Sequence, residues 1–362
     1  MSEDERRLST EKGGHHAFGE KDETIVGVVD GEEVNASGHK DQLQRQYSIW
    51  SLCGLALTID NAWVALGGSL AIAIGNGGPP GVLYELLVAC SYYALIAACI
   101  AELASAIPSA GGVYHWASVT PGPRYGRVLG FLTGSLNFFG WIFDLASITQ
   151  ILANVCVQMY AAFHRTPDDK PMDVHAWHVY VAYLLVTWSC AALVIYRNSL
   201  MPLLQNMGIF LVIVGGLITV IVVAAMPKQH ATNAFVWKDW VNVTGWSGGV
   251  AFLTGVLNGA YTIGTPDAIT HMAEELPNPK RDLPRAIAAQ IILGTITSFL
   301  YAISILYAIT DLTAISDLLT NNVAFPLAEI YHQATGNSGA TFGLLLIITL
   351  SLLICIIGTF LT

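Results

Sequence analysis

The sequence predicts an all-α polytopic membrane protein. Of its 362 residues, 54% are hydrophobic and only 12% are charged, whereas charged residues make up about 25% of a typical soluble domain. The mean hydropathy of the chain is +0.55. Long apolar stretches and two interrupted hydrophobic segments, described below, support the same fold class.

The charges are concentrated at the N terminus. Residues 1–46 hold 11 acidic and 6 basic side chains, which leaves 15 acidic and 10 basic ones for residues 47–362. Such a sparsely charged chain is not a soluble enzyme. With a sequence pI of about 5.4 and no basic patch, it is not a nucleic-acid binder either. All six cysteines lie inside apolar runs, which excludes a secreted disulfide scaffold.

The first 46 residues form a polar tail without hydrophobic periodicity or the apolar core of a signal peptide. Its composition is typical of disorder. We therefore predict a disordered cytoplasmic tail over 1–46 and a transmembrane domain over 47–362.

Eight apolar stretches in the second region are long enough to span about 30 Å of hydrocarbon as helices. Only helices satisfy their backbone groups within one such segment. The predicted spans are 47–75, 81–107, 128–163, 176–196, 201–226, 246–272, 286–310 and 340–362.

The distribution of Lys and Arg predicts the orientation, because cytoplasmic loops carry an excess of both. Eight of these residues lie in the tail close to the first span or in loops on the same side: Lys40, Arg45, Arg124, Arg127, Arg197, Lys280, Arg281 and Arg285. The loops on the other side carry four, namely Arg165, Lys170, Lys228 and Lys238. This bias predicts a cytoplasmic N terminus. We expect the protein to reside in the plasma membrane.

The first and sixth predicted spans are interrupted by residues that are poor in a helix interior. The first contains Asp60, Asn61 and the pair Gly67-Gly68, and the sixth contains the run Gly264-Thr265-Pro266-Asp267. Interrupted helices are tolerated in a membrane only where the freed backbone groups line a cavity or contact protein. Two of them at matching places indicate a transporter with inverted repeats, and a spacing of five spans gives a repeat of five.

Two long motifs resemble those of a known family. The stretch ELASAIPSAGGVYHW at 102–116 is similar to the E-L-x-S-x-x-P-x-A-G-G-x-Y-x-W signature of the amino acid–polyamine–organocation permeases. The stretch DAITHMAEELPNPKRDLPRAI at 267–287 resembles a motif of the fungal branch that contains choline and GABA permeases.

The resemblance covers about residues 47–362. It implies a five-plus-five inverted-repeat fold followed by two further helices. Because this chain reaches only the eighth helix, we expect a fold that is truncated within its second repeat.

The resemblance also implies where substrate binds, because the unwound stretches of spans one and six hold the substrate in the family. Carried over by position, these are Asn61, Ala62, Trp63, Val64, Tyr261, Thr262, Gly264 and Thr265. Half-helix N termini at such breaks favour a carboxylate, and unwound carbonyls favour a cation. The aromatic rings of Trp63 and Tyr261 would suit a quaternary ammonium group.

Three aspartates fall within predicted spans, although every Lys and Arg lies in the tail, in a loop or at a span boundary. They are Asp60, Asp144 and Asp267. An Asp at the centre of a membrane helix costs about 2.5–3.5 kcal/mol on insertion scales. Each is therefore a candidate cation or proton site. The alternative is an Asp that caps a half-helix, which fits Asp267 beside Pro266 best.

These observations together predict a secondary transporter of amino acids or related amines such as choline or GABA. We expect alternating access and coupling to a cation, most simply a proton. Its partners would be the solute, the coupling ion and the lipid bilayer, with no nucleic acid, cofactor or metal. The alternative is a non-transporting nutrient sensor on the same scaffold. A membrane enzyme would need a nucleophile–base or metal cluster within the spans, and the sequence shows none.

Overall fold

The computed structural model describes residues 27–29, 32–34, 48–166, 172, 174–197, 200–312, 315 and 325–361. Most of the predicted tail lies outside this range. Within the tail, strands β1 (Gly27–Val29) and β2 (Glu32–Val34) pair antiparallel.

The membrane domain is built of helices. In chain order they are α1 Ile49–Asp60, α2 Ala62–Ala106, α3 Gly112–Val119, α4 Gly126–Ala161, α5 Ala176–Tyr196, α6 Met201–Phe210, α7 Gly216–Ala225, α8 Asn233–Trp237, α9 Gly248–Ile263, α10 Pro279–Ala308, α11 Leu327–Thr335 and α12 Ser338–Thr359. A π-helical turn, Leu211–Gly215, joins α6 to α7, and a 3-10 helix, Ala268–Glu275, follows α9.

Seven helical stretches of the described chain are long and apolar enough to cross a membrane. They are Ile49–Ala71, Ala73–Ala106, Gly126–Ala161, Ala176–Tyr196, Leu203–Ala225, Pro279–Ala308 and Ser338–Thr359. The all-α polytopic fold class is thus confirmed.

The predicted sixth span is not a continuous helix. Its helical part, α9, has 16 residues and is about 24 Å long, which is short of the hydrocarbon thickness. The chain then leaves the helix at Gly264 and continues as the 3-10 helix. The count of eight predicted spans therefore becomes seven long helices and one broken crossing.

The predicted interruption of the first span lies at Asn61. Its φ of 26° is the only positive value at a non-glycine residue in the described part of the chain, and it separates α1 from α2. Gly67 and Gly68 do not break the helix. They allow close packing instead, since a Cβ on Gly67 would lie 2.8 Å from the Tyr301 hydroxyl.

Helix α2 consists of two arms that fold back on each other at Gly78, where φ is 65° and ψ is −161°. Pro79 starts the second arm, as proline often starts a helix. A Cβ on Gly81 would lie only 3.7 Å from the Ala73 carbonyl oxygen, although eight residues separate the two positions. The first arm, 62–77, and the second arm, 79–106, thus cross in opposite directions.

The helices define two sides, which we call the tail side, where α1 begins, and the far side. On the far side, the Ala231 amide donates to the Tyr307 carbonyl at 2.9 Å. The Arg165 guanidinium also contacts the Glu329 carboxylate there at 3.0 Å. On the tail side, His271 Nδ1 contacts the Ala110 carbonyl oxygen at 3.0 Å.

Glycines bring α9 against the second arm of α2. A Cβ on Gly259 would lie 2.6 Å from the Ala89 Cβ and 3.0 Å from the Leu86 Cα. Close backbone approach of this kind is how helices associate where both are surrounded by lipid.

We predict that Gly259→Ala lowers the thermal stability of the purified protein, because the added methyl group meets atoms that cannot rotate away. Overpacking of a filled site costs about 1–3 kcal/mol. The measurement is the melting temperature in detergent. Gly343→Ala on α12 is the control, since nothing lies within 4 Å of a Cβ there. Equal melting temperatures for the two variants would contradict the close packing of α2 and α9.

Candidate functional site

The breaks after α1 and α9 lie side by side. The Thr265 hydroxyl donates a hydrogen bond to Asp60 Oδ1 at 2.9 Å. The fully buried side chain of Gln290, on α10, donates from Nε2 to the Thr265 carbonyl oxygen at 2.9 Å. The Thr265 hydroxyl thus satisfies the Asp60 carboxylate. The Gln290 side chain satisfies a backbone carbonyl that the interrupted helix leaves without a helical donor.

A small cavity of about 20 Å³ lies between the two breaks. By this measure it has room for about one water molecule. Its walls come from α1, α2, α4, α9 and α12: Ile59, Asp60, Asn61, Ala65, Asp144, Ile148, Ile151, Tyr261, Thr265, Leu352 and Cys355.

A second cavity of about 490 Å³ adjoins the first on the tail side and shares Asp144 and Thr265 with it. This volume is in the range of small-molecule binding sites. Its other lining residues are Tyr93, Ile96, Ile100, Val113, Thr133, Leu136, Asn137, Gly140, Trp141, Gly264, Pro266 and Asp267.

All three predicted carboxylates line these cavities. Asp60 lies in the small cavity, Asp267 in the large one and Asp144 in both. Within the described chain, no Lys or Arg is among the lining residues. The two cavities therefore bring three carboxyl groups together with no basic Lys or Arg side chain among their described lining residues.

Several buried polar atoms of this region have no hydrogen-bond partner among the described residues. They are Oδ2 of Asp60, Oδ2 of Asp144, and the side-chain Oδ1 and Nδ2 of Asn61. Asp267 differs, because its Oδ2 accepts a hydrogen bond from Asn137 Nδ2 at 3.1 Å. An unpaired buried polar atom costs free energy. Such atoms around a cavity are available to a polar or cationic ligand.

Four of the eight predicted substrate-binding residues line a cavity, namely Asn61, Tyr261, Gly264 and Thr265. The Tyr261 hydroxyl is also 2.9 Å from the Ser147 hydroxyl of α4.

The other four are not among the lining residues of either cavity. Ala62 and Val64 are buried, and the Thr262 hydroxyl donates to the Asn258 carbonyl oxygen at 2.8 Å. Ala62, Trp63 and Val64 nevertheless form the first turn of α2. The Val64 amide donates to the Asn61 carbonyl oxygen at 3.0 Å. The donors that this turn offers beside Asn61 are therefore the amides of Ala62 and Trp63, because the first amide groups of a helix lack intrahelical partners.

Trp63 is a packing residue in this structure. Its indole N–H donates to the Val212 carbonyl oxygen, in the π-helical turn, at 3.1 Å. Its ring meets the Tyr301 ring edge-on, with 5.3 Å between centroids. Trp63 is 1% exposed, and it is not among the residues that line either cavity.

Tyr93 and Trp141 are the aromatic residues of the larger cavity, and the sequence analysis did not single them out. For Trp141 the signal was present, because Asn137, Trp141 and Asp144 are spaced i, i+4 and i+7 on α4 and so share one helix face. Tyr93 has no comparable signal, since only the fold of α2 brings its second arm back to the breaks.

On the far side, packed side chains cover the breaks. The fully buried hydroxyls of Tyr301 and Tyr331 are 2.6 Å apart and join α10 to α11. Beyond them, the Arg165–Glu329 ion pair joins the end of α4 to α11. The larger of the two adjoining cavities thus lies on the tail side of the breaks, and packed side chains lie on their far side.

A sequence model for the amino acid permease family matches residues 47–362. This chain belongs to the amino acid permease family. It is 32% identical to a choline transporter of Saccharomyces cerevisiae over 325 residues, which cover 89% of this chain and 56% of the relative. The expected superfamily is therefore confirmed, and the permease is an integral membrane protein.

Two further relatives are less similar. A 7-keto 8-aminopelargonic acid transporter of Saccharomyces cerevisiae is 27% identical over 82% of the permease chain and 58% of its own length. An amino-acid permease of Arabidopsis thaliana is 24% identical over 87% of the chain and 62% of its own length. The permease chain thus matches somewhat more than half the length of each of these relatives.

We predict that Trp63→Phe destabilises the permease and leaves its affinity for substrate unchanged. Phenylalanine keeps the ring contact with Tyr301 but removes the indole hydrogen bond to the Val212 carbonyl oxygen, which still accepts from the Gly216 amide. Loss of one such hydrogen bond costs about 0.5–1.5 kcal/mol. The measurement pairs the melting temperature of the purified variant with the Michaelis constant for uptake. An unchanged melting temperature with a weakened affinity would place Trp63 in the binding site instead.

Proposed function

We propose that this permease moves a small amine-bearing solute across the membrane by alternating access, and that Asp60 and Asp144 hold its cationic group or a coupled proton. One observation carries the proposal. Carboxylates from three helical segments surround two adjoining cavities at the paired helix breaks, with no Lys or Arg among the described lining residues.

The electrostatic argument follows from the surroundings of these carboxylates. An Asp near the centre of a membrane costs about 2.5–3.5 kcal/mol on insertion scales, and an opposite charge reduces that cost. Since Asp60 and Asp144 each have an oxygen without a protein partner in the described chain, the opposite charge must come from outside. An ammonium group and a proton both meet this requirement.

The aromatic lining of the larger cavity supports an amine substrate. Tyr93 and Trp141 lie in the same cavity as Asp144 and Asp267. Aromatic faces attract cations, and groups of them recognise quaternary ammonium ligands. The relative with 32% identity is named as a choline transporter, which agrees with this chemistry. Amino acids and GABA share the cationic amine.

A substrate that also carries a carboxylate would use the first turn of α2. Helix N termini favour negative charge, and α2 starts at Ala62, directly after the cavity-lining Asn61. The 7-keto 8-aminopelargonic acid transporter, which is 27% identical, is named for a substrate with an amino and an acid group. This arrangement supports zwitterionic amino acids as the alternative to choline.

The paired breaks support alternating access. An interrupted helix can tilt one half without the other, because no helical hydrogen bonds join the halves. The larger cavity lies on the tail side and packed residues close the far side, which fits a state open to the tail side. With a cytoplasmic N terminus, the tail side is the cytoplasmic side of the plasma membrane. This state therefore faces the inside of the cell. No observation on this chain favours a non-transporting sensor.

We predict that Asp144→Asn weakens uptake of the amine and that Asp60→Asn flattens the dependence of uptake on external pH. Removal of one partner of a buried charge pair costs about 2 kcal/mol or more, which is roughly 30-fold in affinity. The measurement is radiolabelled uptake of choline, GABA and a panel of amino acids in cells that express the gene product containing this chain.

The matched control is Asp239→Asn, which removes an exposed carboxylate from the far-side loop before α9. Surface labelling of each variant separates transport from delivery to the membrane. If both site variants transport with the affinity and pH profile of the parent, the two carboxylates are structural and the proposed cation site is wrong.

We also predict that Trp141→Leu weakens uptake of a quaternary ammonium substrate more than Trp141→Phe does, because phenylalanine keeps an aromatic face. A cation–π contact contributes about 0.5–2 kcal/mol, or roughly 2- to 30-fold in affinity. Trp188→Leu is the control, since Trp188 is on the outer surface of α5 with 72% of its area exposed. Equal affinities for the leucine and phenylalanine variants of Trp141 would exclude a cation–π role.

A further inference from the structure

A fourth membrane carboxylate, Glu85, lies outside both cavities. It is in the second arm of α2, about two helical turns after the reversal at Gly78, and only 1% of its surface is exposed. Neither of its carboxylate oxygens has a hydrogen-bond partner among the described residues. Nothing in the central site explains this side chain.

Two glycines form the slot that holds the Glu85 carboxylate. A Cβ on Gly255 of α9 would overlap the carboxylate, and one on Gly81 would lie 3.3 Å from Oε1. Any larger residue at position 255 would displace the acid. The contact between α9 and the second arm therefore leaves just enough room for a carboxyl group between them.

A row of polar side chains lies along the interface of α9 with the first arm of α2, close to this slot. The Ser69 hydroxyl donates to Asn258 Oδ1 at 2.5 Å. Nearer the far side, the Thr254 hydroxyl is 3.4 Å from Asn76 Oδ1. Gly255 follows Thr254 directly, so the Glu85 carboxylate lies near the level of the Thr254–Asn76 pair.

The spacing of these residues shows that the row is a helix face. Positions 254, 258 and 262 of α9 are four residues apart and lie one above the other. Asn76 and Ser69 are two turns apart on the facing arm. The row lies on the far side of the two helix breaks.

No charged side chain of the described helices around the slot compensates a Glu85 carboxylate. Residues 62–84 of α2 contain none, and Tyr261 is the only titratable residue of α9. The nearest charged residues of the loop before α9 are Lys238 and Asp239, and both are exposed. An unpaired carboxylate in such a place is expensive, whereas a neutral carboxylic acid is tolerated.

We propose that Glu85 is a proton-binding site, separate from the central carboxylates, in the slot between the second arm of α2 and α9. Its role in coupling depends on the transport function proposed above. Its protonation does not, so the two are tested separately.

Infrared spectroscopy of the purified protein in lipid tests protonation. A carboxylic acid and a carboxylate have distinct carbonyl bands, so Glu85→Gln should remove an acid band that the parent protein shows at neutral pH. In the parent this band should give way to a carboxylate band at alkaline pH. Glu85→Asp should keep an acid band. Glu102→Gln, which changes an exposed Glu at the tail-side end of the same helix, should leave the band in place.

Identical acid bands in the parent protein and in Glu85→Gln at every pH would overturn the proposal. So would a carboxylate at Glu85 at neutral pH, because the residue would then hold no proton. Since glutamine has the shape of the protonated acid, the variant should fold, and its melting temperature checks this. Glu85→Asp provides the second test if the glutamine variant is unstable.

Transport assays in proteoliposomes test coupling. Glu85→Gln should still exchange labelled for unlabelled amine across the membrane but lose accumulation driven by a pH gradient. Accumulation equal to that of the parent would overturn the coupling role. If the parent protein itself moves no amine, the proposed function fails, while the infrared result on Glu85 still stands.

Discussion

The structure depends on one constraint, which is that backbone polar groups inside a membrane need partners within the protein. In two crossings of this chain the helix is interrupted, at Asn61 and at Gly264–Thr265, so helical hydrogen bonds alone do not meet the constraint there. The breaks meet the constraint together, because Thr265 donates to Asp60 and Gln290 of α10 donates to the Thr265 carbonyl. Neither break would be tolerable in a helix that faced lipid.

The pairing of the breaks explains the position of the charged residues. Asp60 belongs to the last turn of α1, and Asp144 reaches the same cavity from the continuous helix α4. Both side chains lie inside the helix bundle, away from lipid. In each carboxylate, one oxygen has no hydrogen-bond partner among the described residues. The three aspartates of the central site therefore cluster where helical geometry is interrupted.

Small residues make this interior possible. Gly255 and Gly259 bring α9 against the second arm of α2, while Gly67 and Gly216 leave room for Tyr301 and Trp63. The same close contacts enclose Glu85. Tight packing and buried acidity thus have a common origin, since the glycines that let the backbones approach also form the slot around the carboxylate.

The sequence by itself determined the fold class, the course of most spans and the two breaks. Apolar length and Pro, Gly and Asn within a span act through local geometry, which every membrane helix obeys. It also predicted that Asp60, Asp144 and Asp267 lie within membrane spans. Only the tertiary structure decided which side chains share a cavity. It placed Trp63 in a packed core and brought Tyr93 to the breaks. It also set Glu85 against Gly255, because a reversal at one glycine aligns residues far apart in the chain, and no local pattern encodes that alignment.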